Sequence, residues 1–244
     1  MTRALLDKEL QELDAQVIRL GSLVDDALAQ ALAALETADQ DKAGAVVVSD
    51  TPIDDLHLAI EEHAFRTITL QQPLAGRDLR YLTSLVPIAI DLERMGDEAE
   101  AIALNVLRML PLRSGGMLEA GTQIQQGQVE SIPGGESEQF TEASTVQGLL
   151  DLGQQVRSLL QETMRAFASR DTEAARRLWE KDTVIDKRAY VVRRDAMAIL
   201  EGVQAVPALQ HDPHLVQRAT CLLWICHELE RVADHCTNIC ERIV

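Results

Sequence analysis

The chain has 244 residues, 46% hydrophobic, 25% charged and only 3% aromatic, with a formal net charge of −16. Such a length holds one or two domains, and an Ala- and Leu-rich chain poor in aromatics suits helix packed on helix rather than a sandwich or barrel. The negative charge disfavours nucleic acid and anionic membrane surfaces, both of which attract basic proteins.

At the N-terminus, MTRALLDKELQELD has acidic residues where a signal peptide carries its apolar stretch. No apolar run approaches the ~18 residues that span a bilayer. A cytoplasmic protein without direct membrane insertion is expected. Leu6, Leu10, Leu13, Val17, Leu20, Val24, Leu28, Ala31 and Leu35 step by three or four residues and predict one long helix ending near Thr37. Asp39 then caps a second helix that carries Asp50 and Asp54 and runs to about Leu70. Gln71-Gln72-Pro73-Leu74-Ala75-Gly76 reads as a turn. A third helix, from about Asp78 to Leu110, carries Glu93 and Asp97 and stops at Pro111.

Residues 111–144 are rich in Gly, Ser, Gln and Glu and lose apolar periodicity, as expected of a flexible linker or insertion. The helical stripe restarts at Leu149, Leu152, Val156, Leu160, Met164 and Phe167. A helix over about 172–203 carries Asp182 and Asp186. After a turn from Gln204 to Asp212, a last helix, with Pro213 at its first position, carries Glu230 and Asp234. The expected fold is all-α: two tandem antiparallel three-helix bundles related by internal duplication, residues 1–110 and 145–244, joined by 111–144.

The duplication shows most clearly in four carboxylate pairs. Asp50-Thr-Pro-Ile-Asp54 recurs 132 residues on as Asp182-Thr-Val-Ile-Asp186, and Glu93-Arg-Met-Gly-Asp97 recurs 137 residues on as Glu230-Arg-Val-Ala-Asp234. Each pair is spaced i,i+4, so both carboxylates share one helix face, where like charges are unfavourable. If the carrying helices are neighbours, Asp50 and Asp54 face Glu93 and Asp97, and Asp182 and Asp186 face Glu230 and Asp234. Four facing carboxylates either protonate in part or hold a cation. An oxygen-rich set favours Mg²⁺, Ca²⁺, Mn²⁺ or iron, with zinc less natural. His57 and His235 are possible nitrogen ligands, although Ala189 and Glu98 stand at the matching places. Asp91, Glu228, Glu100 and Asn238 are possible supports behind the ligands.

The copies differ in that Pro52 and Pro87 match Val184 and Trp224. A proline inside a helix frees the carbonyl four residues back, here Val48 or Thr83, so a kink is expected at the first acidic set. A bend without functional consequence is the competing expectation. Cys221, Cys226, Cys236 and Cys240 match Ser84, Ala89, Ala99 and Ala103, which marks them as small packing residues more than as soft-metal ligands. There is no Gly-rich phosphate loop, nucleophile elbow or H-E-x-x-H motif, and no catalytic or organic-cofactor residues are assigned.

Asp-Leu-Glu-Arg-Met-Gly-Asp (91–97) and Glu-Leu-Glu-Arg-Val-Ala-Asp-His (228–235) resemble the acidic motifs of the PhoU family, the regulatory accessory proteins of bacterial phosphate-specific transport. Gln-Gln-Pro-Leu-Ala with the following Asp-Leu-Arg (71–80), the two Asp-x-x-x-Asp segments and Asn238-Ile239-Cys240-Glu241 add to the resemblance. It implies two three-helix bundles, each binding a metal or metal cluster, with ligands Asp50, Asp54, Glu93, Asp97, Asp182, Asp186, Glu230 and Asp234. It further implies a non-enzymatic cytoplasmic protein, often a homodimer. Such proteins act with the ATPase subunit of the phosphate ABC transporter and a membrane sensor histidine kinase, and keep the phosphate-starvation response off when phosphate is plentiful. The 111–144 segment is longer than the family's usual connection, and Ala101 and Ala233 stand where the other copy has Asn238 and Gly96. Two other functions stay open. One is a carboxylate-bridged di-iron enzyme, for which only Asp54-x-x-His57 comes close to the needed Glu-x-x-His motif. The other is an accessory protein of a different anion carrier.

Overall fold

The computed structural model describes residues 3–113, 141–205, 212 and 214–244. Among them the chain forms seven helices and no strand: α1 Arg3–Thr37, α2 Gln40–Val48, α3 Thr51–Leu70, α4 Gly76–Arg113, α5 Glu142–Ser169, α6 Thr172–Ala205 and α7 Leu215–Ile243. The architecture is all-α, with duplicated bundles in tandem. Helices α1–α4 form the first bundle and α5–α7 the second.

The leucine stripe of α1 is the buried stripe, from Leu6 through Leu35. In α5 the same holds for Leu149, Leu152, Val156, Leu160 and Phe167. Both helices end alike. Ala38 and Arg170, 132 residues apart, take left-handed backbone with φ of 52° and 53°. That conformation brings the Asp39 and Asp171 N–H groups back to the carbonyls of Ala34 (3.1 Å) and Ala166 (3.0 Å), satisfying groups that the helix end would orphan. The aspartates then start the next helices. Asp39 accepts from the N–H groups of Asp41 and Lys42, and Asp171 from that of Ala174 at 2.9 Å.

The second helix of the first bundle is broken rather than kinked. Chain pairing stops at Val48, Ser49 closes α2, and Asp50 occupies the position before α3 with Pro52 in its first turn. A proline is harmless there, because the first-turn N–H groups have no partner within the helix. Its counterpart α6, with Val184, is continuous. Pro87 stays inside α4, which also continues through Pro111 to Arg113 instead of stopping at 110. Most of the linker expected over 111–144 lies outside the described residues, as do 206–211 and Pro213. Asp212 accepts from the His214 N–H at 3.0 Å, so the expected cap acts just before α7.

One buried core runs through both bundles. They meet through α1 against α5 and α4 against α7, with approximate two-fold symmetry that follows the duplication. Gly21 lies against Met164 of α5, and its counterpart Gly153 lies against Leu32 of α1, the counterpart of Met164. A Cβ on Gly21 would fall 2.8 Å from Met164, and one on Gly153 2.5 Å from Leu32. Both glycines therefore set how closely α1 and α5 approach. Asp25 and Arg157, equivalent positions, pair across the seam at 2.8 Å. All four cysteines are buried, in keeping with packing roles. No described helix is long and apolar enough to cross a membrane.

Candidate metal centre

The break between α2 and α3 places Asp50 and Asp54 at the start of a helix, facing α4. Gly96 on α4 makes room: a Cβ there would lie 3.0 Å from Ile53 and 3.5 Å from Asp50 Oδ1. The Asp50 carboxylate forms no cap hydrogen bond, and its buried Oδ1 has no hydrogen-bond partner among the described residues. Asp50, Asp54 and Asp97 each offer an oxygen, all within 4.8 Å of one another. Glu93 is not in that tightest group but is felt by it. Burial first, then the charges of Asp54, Glu100, Asp97 and Glu93, push the Asp50 carboxyl up to about 6. Burial and Asp97 raise Glu93, with His57 opposing. Asp97 is raised by burial and Asp54, against Arg231 and Arg94. His57 has a buried Nε2 without a hydrogen-bond partner among the described residues.

Burial first, and then the neighbouring carboxylates, hold these carboxyls above their ordinary range. A set of hard oxygen donors with one orphaned buried oxygen fits a hard divalent or trivalent cation.

The second set is arranged differently. Asp186 is exposed where its counterpart Asp54 is half-buried, Asp234 and Glu230 are exposed and half-buried like Asp97 and Glu93, and the side chain of Asp182 lies outside the described ones. Arg193 of α6 donates to Glu230. Burial, Asp186 and Glu230 raise Asp234, opposed by His235 and His227. Among the described residues these carboxylates form no group as tight as the first. Arg193 was not singled out from the sequence; the duplicate alignment matches it to Glu61, a reversal of charge that could have drawn notice.

Of the residues expected behind the ligands, Glu100 acts on Asp50, while Asp91, Glu228 and Asn238 meet partners across the α4–α7 seam. Asp91 accepts from His235 Nδ1 at 3.0 Å and from Asn238 Nδ2 at 3.3 Å, and Arg242 stands 3.1 Å from its other oxygen. His235 is thus occupied across the seam. The equivalent pair joins Glu228 to Glu98, the counterpart of His235. There burial, a hydrogen bond with Glu228 and its charge push Glu98 up to about 8, although Arg231 lies 2.8 Å from Glu98. Asp91 and Glu98, like Glu228 and His235, are seven residues apart on one helix face, a spacing that marks a helix–helix seam.

The sequence profile of the PhoU domain matches residues 17–106 and 149–243, one copy in each bundle. Curated relatives match along almost the whole chain. The "phosphate-specific transport system accessory protein PhoU homolog" of Clostridium acetobutylicum is 27% identical, over 100% of this chain and 94% of its own. Homolog 1 of Thermotoga maritima is 29% identical, over 98% of this chain and 87% of its own. Among solved structures, that of PhoU from Pseudomonas aeruginosa superposes with a TM-score of 0.75 at 26% identity, covering 97% of this chain and 96% of that one. The phosphate transport system regulatory protein PhoU from Streptococcus pneumoniae gives 0.74 at 27% identity, covering 98% and 95%. With a domain match in each half and similarity end to end, the chain belongs to the PhoU family.

Proposed function

We propose that this protein is a cytoplasmic, metal-binding regulator of phosphate transport and phosphate-starvation signalling. It restrains the phosphate ABC transporter and its sensor kinase pathway when phosphate is plentiful. Support comes from full-length similarity to proteins named as accessory or regulatory components of phosphate-specific transport. Its partners on this reading are the transporter's ATPase subunit and the sensor histidine kinase, and it works as a homodimer. Its role is non-enzymatic. The di-iron alternative needs a histidine in each half, and buried Ala189 fills the second place.

The observation that carries metal binding is the convergence of Asp50, Asp54 and Asp97 around a buried, unpartnered carboxylate oxygen. Asp50 and Asp54 present one pair from the start of α3, Asp97 and Glu93 the other from α4, and Gly96 allows the approach. Iron, Mg²⁺, Mn²⁺ or Ca²⁺ supplies the positive charge that lets all four ionise together. In the second set, Asp182, Asp186, Glu230 and Asp234 serve as ligands only when Arg193 releases Glu230.

Deleting the gene tests the regulatory role: starvation genes should be expressed under phosphate excess. Unchanged expression overturns it. Complementation with Asp54→Asn/Asp97→Asn then asks whether the metal centre is needed for that restraint.

A further inference from the structure

A second cluster of ligand-type side chains lies outside both acidic sets. Glu9 and Glu12 on α1 and His63 on α3 each offer an atom, all within 4.8 Å of one another. His63 is only 7% exposed. Its Nδ1 lies 3.0 Å from Gln16 Oε1, and its Nε2 lies 2.7 Å from Glu9 Oε2. A carbonyl oxygen only accepts, so with the Gln16 oxygen turned toward the ring, Nδ1 is the nitrogen that carries the proton. Nε2 is then left facing carboxylate oxygens. Either a second proton or a metal ion must lie between them.

From this geometry we infer that Glu9, Glu12 and His63 bind one divalent zinc-like cation. A proton would need a single carboxylate, yet two converge, one helical turn apart on the same face of α1. One imidazole nitrogen and two carboxylate oxygens, completed by water, form an ordinary four-coordinate zinc set. Gln16 plays the part of the carbonyl that orients a metal-bound imidazole through its other nitrogen. Glu12 is exposed and Glu9 half-buried, so a cation can enter from solvent. Lys8 stands 3.3 Å from Glu12 as an exposed ion pair and is easily displaced.

The fold itself does not require this cluster. By the duplication, Glu9, Glu12, Gln16 and His63 correspond to Thr141, Ser144, Gly148 and Asp195, and the second bundle packs α5 against α6 without them. The cluster is also separate from the acidic set: His63 is nine residues beyond Asp54 on α3, roughly 14 Å along the helix.

The test titrates Co²⁺ into the full chain carrying Asp54→Asn/Asp97→Asn, which disables the acidic set, and follows visible d–d absorption. Expected is one Co²⁺ per chain with a tetrahedral-type band, displaced by Zn²⁺. His63→Gln and Glu9→Gln should abolish the band. Glu12→Gln, at an exposed position that folding does not depend on, should weaken binding at least tenfold, and Gln16→Leu tenfold or more. No Co²⁺ uptake in the background protein overturns the inference and leaves Glu9–His63 as an ion pair only. So does uptake that Glu12→Gln and His63→Gln leave unchanged. Because the first acidic set is disabled in the test protein and the His63, Glu9 and Glu12 substitutions leave the second untouched, failure here leaves the proposed function standing, and the reverse also holds.

Discussion

The two acidic sets share their residues and differ in what surrounds them. In the first bundle a helix break, Pro52 and Gly96 let Asp50, Asp54 and Asp97 converge, with one buried oxygen left unpartnered. In the second, α6 runs unbroken, Ala233 replaces the glycine, and Arg193 already neutralises Glu230. Duplication preserved the charges and not the supports. A carboxylate paired with an arginine has its charge answered within the protein, whereas one facing other carboxylates is eased by a proton or a cation.

That difference predicts unequal metal loading, the largest effect expected. Asp54→Asn/Asp97→Asn should lower affinity for the more tightly held metal by roughly a hundredfold or more, about 3 kcal/mol. Asp186→Asn/Asp234→Asn should leave it nearly unchanged. Elemental analysis after dialysis against a weak chelator reads both. Arg193→Gln sharpens the contrast, since freeing Glu230 should raise metal uptake by the second set. Equal losses from both halves would mean that Arg193 does not shield the second set at all.

The seam between the bundles offers a second comparison, read by pH. Asp91 meets an imidazole, an amide and a guanidinium, while its counterpart Glu228 meets the carboxyl of Glu98. Glu98 is raised in the folded state, so between its ordinary range and about 8 the folded protein holds a proton that the unfolded chain has released. Stability from this group is therefore full at acidic pH and falls as pH rises toward 8, by up to about 1 kcal/mol per pH unit. Urea unfolding of metal-free protein across pH 5–9 measures the slope. Glu98→Gln should flatten it, and a slope unchanged by that substitution would place its source elsewhere.

Much of this was legible beforehand. The leucine stripes, the helix-ending turns and the duplicated carboxylates all rest on local spacing, which a helix converts directly into a face. The break at Ser49–Asp50 was less so. Asp39 already supplied a helix start, and Pro52 looked like a kink inside a helix rather than the first turn of a new one. Yet Asp50 followed two residues later by proline is itself a start signal. Arg193, the Asp91–His235 contact and the Glu98–Glu228 pair join residues 37 to 144 positions apart, and only tertiary packing brings such residues together. Their common trace in sequence is the place where duplicated positions change charge.

A smaller effect tests the close approach at the first set. Gly96→Ala puts a methyl 3.0 Å from Ile53, so the side chain must give way and α3 move outward. Crowding of this kind typically costs about 1–2 kcal/mol, and it should weaken metal binding along with stability. The reverse change, Ala233→Gly, only loosens a helix interior, at about 1 kcal/mol, and should leave metal binding alone. Loss of stability from Gly96→Ala without loss of metal affinity would separate the glycine from the site.

The smallest expected effect compares the ends of α1 and α5. Ala38 and Arg170 share the left-handed backbone, which disfavours any side chain by about 1 kcal/mol relative to glycine. Ala38→Gly should therefore stabilise the protein by up to about 1 kcal/mol, partly offset by the greater freedom of glycine in the unfolded chain. Arg170→Gly relieves the same strain. It also removes a guanidinium that lies 4.3 Å above the Tyr81 ring and 3.0 Å from Asp14, both in the first bundle. The two substitutions should have opposite signs in a chemical denaturation series. If both stabilise equally, the Arg170 bridge between the bundles contributes nothing, and backbone strain alone decides both positions.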